Sequence, residues 1–150
     1  MYLISGQFEI RGNAFGITIS NNPIEVSITD DFVSIDYNND GQVINYNLKN
    51  LEDGSNLFNS FTDITSFKDD LSALKDGTQM FQYCSNLTSF ETNNISSLSN
   101  GYHMFYGCTS LSSVLGNFES LVDGSYMFCN TRLQSLDNME FPSLVKAPYM

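Results

Sequence analysis

At 150 residues with 41% hydrophobic side chains, the chain holds one domain, or a small one fused to part of a repeat array, and can build a continuous core. Seventeen acidic against six basic residues give a net charge of −11. The six (Arg11, Lys49, Lys68, Lys75, Arg132, Lys146) are scattered, which excludes the clustered cations that nucleic-acid phosphate or an anionic membrane would require.

The chain opens Met1-Tyr-Leu-Ile-Ser-Gly-Gln7, with neither a basic start nor an apolar run of signal-peptide length. No apolar stretch approaches the roughly 18 residues of a membrane-spanning helix, so no membrane insertion is expected. A stay inside the producing cell, release by lysis and a removed leader are all compatible with that start.

Residues 1–50 alternate with period two: Phe8/Ile10, Phe15/Ile17/Ile19, Ile24/Val26/Ile28, Phe32/Ile35/Tyr37, Val43/Asn45 and Tyr46/Leu48. Gly12-Asn13, Asn21-Asn22-Pro23, Asp30-Asp31 and Asn38-Asn39-Asp40-Gly41 separate them. The pattern predicts five or six short antiparallel strands, serving as an N-terminal cap or as an anchoring domain.

From Leu51 a different beat takes over. Leu57-Phe58, Met80-Phe81, Met104-Phe105 and Met127-Phe128 recur at steps of 23, 24 and 23 residues, and Met150 follows 23 later. Leu51, Leu74, Leu98, Leu121 and Leu144 keep the same step, as do the turn pairs Asp53-Gly54, Asp76-Gly77, Asn100-Gly101 and Asp123-Gly124. Residues 51–150 therefore read as units starting at Leu51, Leu74, Leu98 and Leu121, with a partial fifth at Leu144.

A unit of this length buries its apolar side only by stacking on its neighbours. The expected shared core is Leu51, Phe58, Leu74, Phe81, Cys84, Leu87, Leu98, Phe105, Cys108, Leu111, Leu121, Phe128 and Leu144. Each Leu-x-x-Phe stretch is expected to carry a short strand, with Leu133 and Leu136 in those columns of the fourth unit. Each Met-Phe-x-x-Cys stretch is expected to form a tight helical or 3₁₀ turn, with the column glycine supplying a positive φ. Cys84 and Cys108 recur where the first unit has Phe61, so they read as small buried hydrophobes rather than metal ligands; Cys129 lies off that column, and the odd total argues against a disulfide framework.

The stretch Leu98-Ser-Asn-Gly-Tyr-His-Met-Phe-Tyr-Gly-Cys-Thr-Ser-Leu-Ser-Ser-Val114 resembles the BspA-like, Treponema-type class of leucine-rich repeat, whose pattern is hydrophobic-x-x-[IL]-G-x-x-A-F-x-x-C-x-x-L-x-x-[IV]. The form with Met before Phe is similar to a subgroup found in bacterial surface proteins. The resemblance spans about residues 51–150, with no Ile-Pro following the strand position. It implies a surface-displayed, non-catalytic module linked to adhesion and to binding of host or matrix proteins, of a kind also found in gut bacteria and their phages. The expected fold class is thus mostly β: a leucine-rich-repeat solenoid with short helical or 3₁₀ turns, preceded by an antiparallel β segment.

The C-terminal stretch Leu144-Val-Lys-Ala-Pro-Tyr-Met150 stops at the Met of a Met-Phe pair with no polar capping segment after it. Two expectations follow: a longer array of which this is part, or an end that docks on a second copy or an assembly partner.

No nucleophile elbow, phosphate loop, HExxH or EF-hand pattern occurs, and the single histidine, His103, reads as a bystander at a variable position. No catalytic residue, metal site or cofactor is expected. The Asp53, Asp76, Asn100 and Asp123 column invites a calcium ladder, but turn chemistry already accounts for it. Asn86-Leu-Thr88 and Asn94-Ile-Ser96 match glycosylation sequons, which are frequent in chains this rich in Asn and Ser. Tyr83, Tyr102, Tyr106, Tyr126 and Tyr149 flank the Met-Phe turns and are expected on one side of the stack, as a recognition stripe or partly buried between units. Thr65/Ser66, Thr88/Ser89, Ser112/Ser113 and Gln134/Ser135 form a second, hydroxyl-rich face. The functional expectation is a recognition or adhesion module on a bacterial cell surface or virion, binding a protein or glycan; the alternative is a structural phage protein anchored by its N-terminal β domain.

Overall fold

The computed structural model of the protein describes residues 34–37 and 43–150. Strands β1 (Ser34–Tyr37) and β2 (Val43–Asn47) pair antiparallel, Ser34 opposite Asn47 and Tyr37 opposite Val43, with a register shift between Asp36 and Tyr37. The other strands expected before residue 34 lie outside the described residues. Strands β3 (Ser66–Asp69), β4 (Ser89–Thr92) and β5 (Ser113–Leu115) form a second, parallel sheet in that order, with Phe67 beside Phe90 and Phe90 beside Val114.

The expected fold class, a mostly-β leucine-rich-repeat solenoid with short helical or 3₁₀ turns behind an antiparallel segment, is overturned. The described residues hold three short parallel strands in one open sheet, a separate two-stranded ribbon and no helix of either kind; turns make up most of the rest. No strand forms at Leu133–Leu136 either.

The reason no helix forms lies in the backbone of the Met-Phe stretches. Asn56 and Ser60, Gln79 and Tyr83, His103 and Gly107, and Tyr126 and Asn130 all have φ between +55° and +74°. A left-handed residue at every fourth position breaks any helical run after a single turn. Within the first unit, Leu57 N–H donates to the Gly54 carbonyl and Phe61 N–H to that of Phe58, so each left-handed residue sits third in a tight turn. Alternate N–H groups instead reach the following unit: Gly54 to Asp76 O, Asn56 to Thr78 O, Phe58 to Met80 O and Ser60 to Gln82 O, at 2.8, 2.9, 2.8 and 2.7 Å. Backbone groups that a helix would pair internally are paired between units, and this offsets the left-handed strain.

The core follows the sequence columns. Phe58, Phe81, Phe105 and Phe128 stack at centroid spacings of 5.2, 5.6 and 5.6 Å, and Phe67 and Phe90 stack beside them at 5.1 Å. Leu51, Leu74, Leu87, Leu98, Leu111 and Leu121 are buried, as are Cys84 and Cys108, while Leu144 is half-buried. A further buried column, Leu48, Leu71, Ile95 and Phe118, runs three residues ahead of the leucines and escaped the sequence reading because its side chains vary.

The column glycines do not supply the positive φ: none of Gly54, Gly77, Gly101 or Gly124 has one, whereas Gly107 has φ +74°. Their bare Cα atoms admit the methionine of the following unit. An added Cβ would stand 2.9 Å from Met80 Sδ at Gly54, 3.0 Å from Met104 Sδ at Gly77 and 3.0 Å from Met127 Sδ at Gly101.

Candidate functional site: an aromatic flank around His103

The four units starting at Leu51, Leu74, Leu98 and Leu121 each enter the turn through the same side-chain lock. Asp53 Oδ1 accepts the Ser55 N–H at 2.9 Å, Asp76 that of Thr78 at 2.8 Å, Asn100 that of Tyr102 at 3.1 Å and Asp123 that of Ser125 at 3.0 Å. These locks hold the following residues in equivalent places, so side chains 23 or 24 apart fall into columns. Asn56, Gln79, His103, Tyr126 and Tyr149 form one, all at positive φ. Asn59, Gln82, Tyr106 and Cys129 form a second, and Ser60, Tyr83, Gly107 and Asn130 a third.

The structure brings all five tyrosines expected to bind into one connected surface, with His103 at its centre. The imidazole stacks on the Tyr102 ring at 4.1 Å and on the Tyr106 ring at 4.7 Å, with interplanar angles of 11° and 14°. Tyr126 meets it edge-on at 5.0 Å, and Tyr149 stacks on Tyr126 at 5.0 Å. Tyr83 closes the other end, edge-on to Tyr106 at 5.6 Å. Tyr83, Tyr102 and Tyr149 are 50, 38 and 72% exposed, whereas Tyr106, Tyr126 and His103 are half-buried. From sequence His103 reads as a bystander because it is a lone histidine at a variable position; its place in the column of Gln79 and Tyr126 is the signal that could have found it.

A chain of amides leads to the imidazole. The Ser60 hydroxyl donates to Asn59 Oδ1 at 2.8 Å, and Asn59 Nδ2 donates to Asn56 Oδ1 at 3.1 Å and to Gln82 Oε1 at 3.0 Å. Gln79 Nε2 also donates to Gln82 Oε1, at 3.0 Å. With its oxygen taken by two donors, Gln82 turns its amide N–H toward His103 Nδ1 at 3.1 Å. Nδ1 is then the acceptor, and the ring proton sits on Nε2. Gln82 is only 6% exposed, so the end of the relay that meets His103 is partly shielded from water, while Asn56 and Ser60 at its far end are exposed. Burial also pulls the His103 pKa below its ordinary value, favouring the neutral ring.

The remaining candidates are occupied with structure. Cys84 Sγ donates to the Phe58 carbonyl at 3.0 Å and Cys108 Sγ to that of Phe81 at 2.9 Å. Burial pushes both thiols up to about 12, with Cys84 adding to the effect on Cys108. Such thiols are poor nucleophiles and poor ligands. In the Asp/Asn column, Asn100 Nδ2 donates to Asp76 Oδ2 at 3.2 Å and Lys146 Nζ lies 3.5 Å from Asp123 Oδ2. An amide and an ammonium thus sit where a cation ladder would need carboxylates. For Asp123, burial raises the pKa, but hydrogen bonds from Ser125 and the Lys146 charge outweigh it and hold the carboxyl below its usual value. No group of three or more His, Cys, Asp or Glu among the described residues is arranged to hold a metal.

On the hydroxyl-rich face, Thr88 Oγ1 and Ser112 Oγ donate to the Thr65 and Thr88 carbonyls, so part of its polarity serves the stacking itself. A shallow hollow of about 180 Å³ lies among Phe128, Thr131, Leu133, Gln134, Ser135, Leu136 and Met150. No helix among the described residues is long and apolar enough to cross a membrane. The chain matches no family model, no curated protein and no solved structure.

Proposed function

We propose that the protein is a non-catalytic recognition module of a surface, binding a protein or glycan partner through the flank formed by Tyr83, Tyr102, Tyr106, Tyr126 and Tyr149 around His103. The observation that carries this reading is the pairing of bulky rings with an unfavourable backbone. Tyr83, His103, Tyr126 and Tyr149 all hold left-handed φ, where glycine or asparagine costs less. The same columns elsewhere hold Asn56, Gly107 and Asn130, along with Ser60 and Gln79, so no aromatic is required by the backbone itself. Aromatic side chains kept at about 1–2 kcal/mol of backbone strain each point to a use for those side chains, and two of these rings, Tyr83 and Tyr149, remain exposed beside the exposed Tyr102. Tyrosine offers a large amphipathic contact surface at low entropy cost.

The test is binding to arrays of glycans and of immobilised extracellular proteins by the full chain and by the triple variant Tyr83→Ser, Tyr102→Ser, Tyr149→Ser, each shown to be folded by circular dichroism. A partner bound by the parent and at least about tenfold weaker with the variant supports the reading. Absence of any partner, or equal binding by both proteins, overturns it.

A further inference from the structure

Resting on that reading, we propose that the flank takes a neutral oligosaccharide, with the Nε2–H of His103 donating to a sugar oxygen and the neighbouring tyrosines lying against its C–H surface. Three observations lead there.

The first is the donor. Among the described residues, the only hydrogen bond His103 makes through its ring is at Nδ1, with Gln82. Nε2 therefore carries a proton and meets no acceptor among the described residues, on a partly exposed ring held between Tyr102 and Tyr106. Four amide and hydroxyl side chains from two earlier units (Asn56, Asn59, Ser60 and Gln79) meet through Gln82 to set that proton's position. A donor oriented before its acceptor arrives loses little entropy on binding.

The second is charge. Among the described residues, no ring contact or amide hydrogen bond of this flank involves a charged side chain. Lys68, Lys75 and Lys146 each lie against a carboxylate, those of Glu91, Glu52 and Asp123. An anionic ligand would meet a chain of net charge −11 with no cation among the rings and amides that form the strip, and a cationic one would find no carboxylate among them. Phenol hydroxyls, which both donate and accept, match sugar hydroxyls, which do the same.

The third is size. The strip runs from Tyr83 in the second unit to Tyr149 in the fifth, three steps of about 4.8 Å, or roughly 14 Å. That suits an extended oligomer rather than one small molecule. The three exposed tyrosines offer on the order of 300 Å², well under the ~800 Å² each partner buries in a standard protein interface.

Two measurements on the full chain decide the matter. The chain has a single histidine, so a long-range ¹H–¹⁵N spectrum at neutral pH reports one imidazole without ambiguity. The expected result is a protonated Nε2 and an unprotonated Nδ1; the opposite tautomer overturns the proposal. The second is an array of neutral hexose and N-acetylhexosamine oligomers of about two to six residues, set beside sialylated and sulfated counterparts. The parent is expected to bind one or more neutral oligomers and none of the charged forms. His103→Asn is expected to lose at least about tenfold in affinity; asparagine suits the left-handed position, as Asn56 does in the first unit. Binding confined to charged glycans, or unchanged binding by His103→Asn, overturns the proposal. A protein partner whose binding is lost with the three tyrosines, in a chain that binds no neutral oligomer, overturns the saccharide assignment and leaves the recognition reading standing.

Discussion

Met80 Sδ lies 2.9 Å from the place where a Cβ on Gly54 would stand, one unit away along the chain. Met104 and Gly77 repeat the relationship at 3.0 Å, as do Met127 and Gly101. Glycine here admits a neighbour's side chain, and its conformational freedom is not used.

Gly77→Ala is therefore expected to destabilise the stack by about 1–3 kcal/mol through overpacking against Met104, read as a lower urea midpoint with an unchanged slope. Combining it with Met104→Ala should cost less than the two single changes added together, because the added methyl then has room. Gly107→Ala is expected to be worse than Gly77→Ala: its φ is +74° and its new Cβ would stand 2.6 Å from Tyr83 Cδ1. Equal losses at the two glycines would mean that backbone conformation contributes nothing at Gly107.

The three thiols should separate by reactivity. Cys84 and Cys108 are buried and pushed up to about 12, whereas Cys129 is half-buried. At pH 8 a disulfide reagent is expected to titrate one thiol in the folded protein and three after denaturation. Rapid reaction of Cys84 in the native state would contradict the packing described here. Cys84→Ala is expected to cost about 1–2 kcal/mol, chiefly in lost contacts, since the Phe58 carbonyl it serves also accepts the Phe61 N–H.

The turn locks should matter more than the surface ion pairs. Asp76→Ala removes acceptors for the Thr78 N–H and the Asn100 amide and is expected to cost about 1–2 kcal/mol. Neutralising Lys75 or Lys68, whose partners Glu52 and Glu91 are exposed with them, is expected to change stability by about 0.5 kcal/mol or less. Addition of millimolar calcium, or of a chelator, should leave the midpoint where it was. A calcium-dependent rise would restore the cation ladder that Asn100 and Lys146 interrupt.

Acid should act on the flank through His103. Its pKa is lowered in the folded chain from the ordinary 6.5, so the unfolded state takes up the proton first. The stability linked to the neutral ring is complete above 6.5 and is lost as pH falls through the folded value. Protonation would also set an N–H of Nδ1 against the Gln82 amide N–H. The stability difference between the parent and His103→Asn is expected to shrink as pH drops below 6.5, measured by denaturant unfolding across that range. A difference independent of pH would show that His103 is not held neutral.

How much of this was legible in the sequence can be judged from particular residues. The 23- and 24-residue columns named the side chains that stack, because an apolar residue recurring at a fixed step has no other reason to recur. The column of Leu48, Leu71, Ile95 and Phe118 obeys the same step but went unread, since burial constrains it to be apolar without constraining its shape. The tyrosines could be placed on one side from their spacing alone. His103 could not be separated from a bystander, because its partners Gln82, Tyr106 and Tyr126 are 21, 3 and 23 residues away.

The sequence by itself determined which residues repeat, what they are made of and that no cluster of cations is built from them. Only the tertiary structure decided the backbone of the Met-Phe stretch. Its spacing is helical to the eye, yet the N–H groups of Gly54, Asn56, Phe58 and Ser60 bond to carbonyls in the following unit. That choice belongs to the stack and not to the stretch: a hydrogen bond between units needs a neighbour already in place, and local propensity carries no record of the neighbour. The left-handed residues follow from those bonds, and with them the presentation of Tyr83, His103, Tyr126 and Tyr149 along one flank.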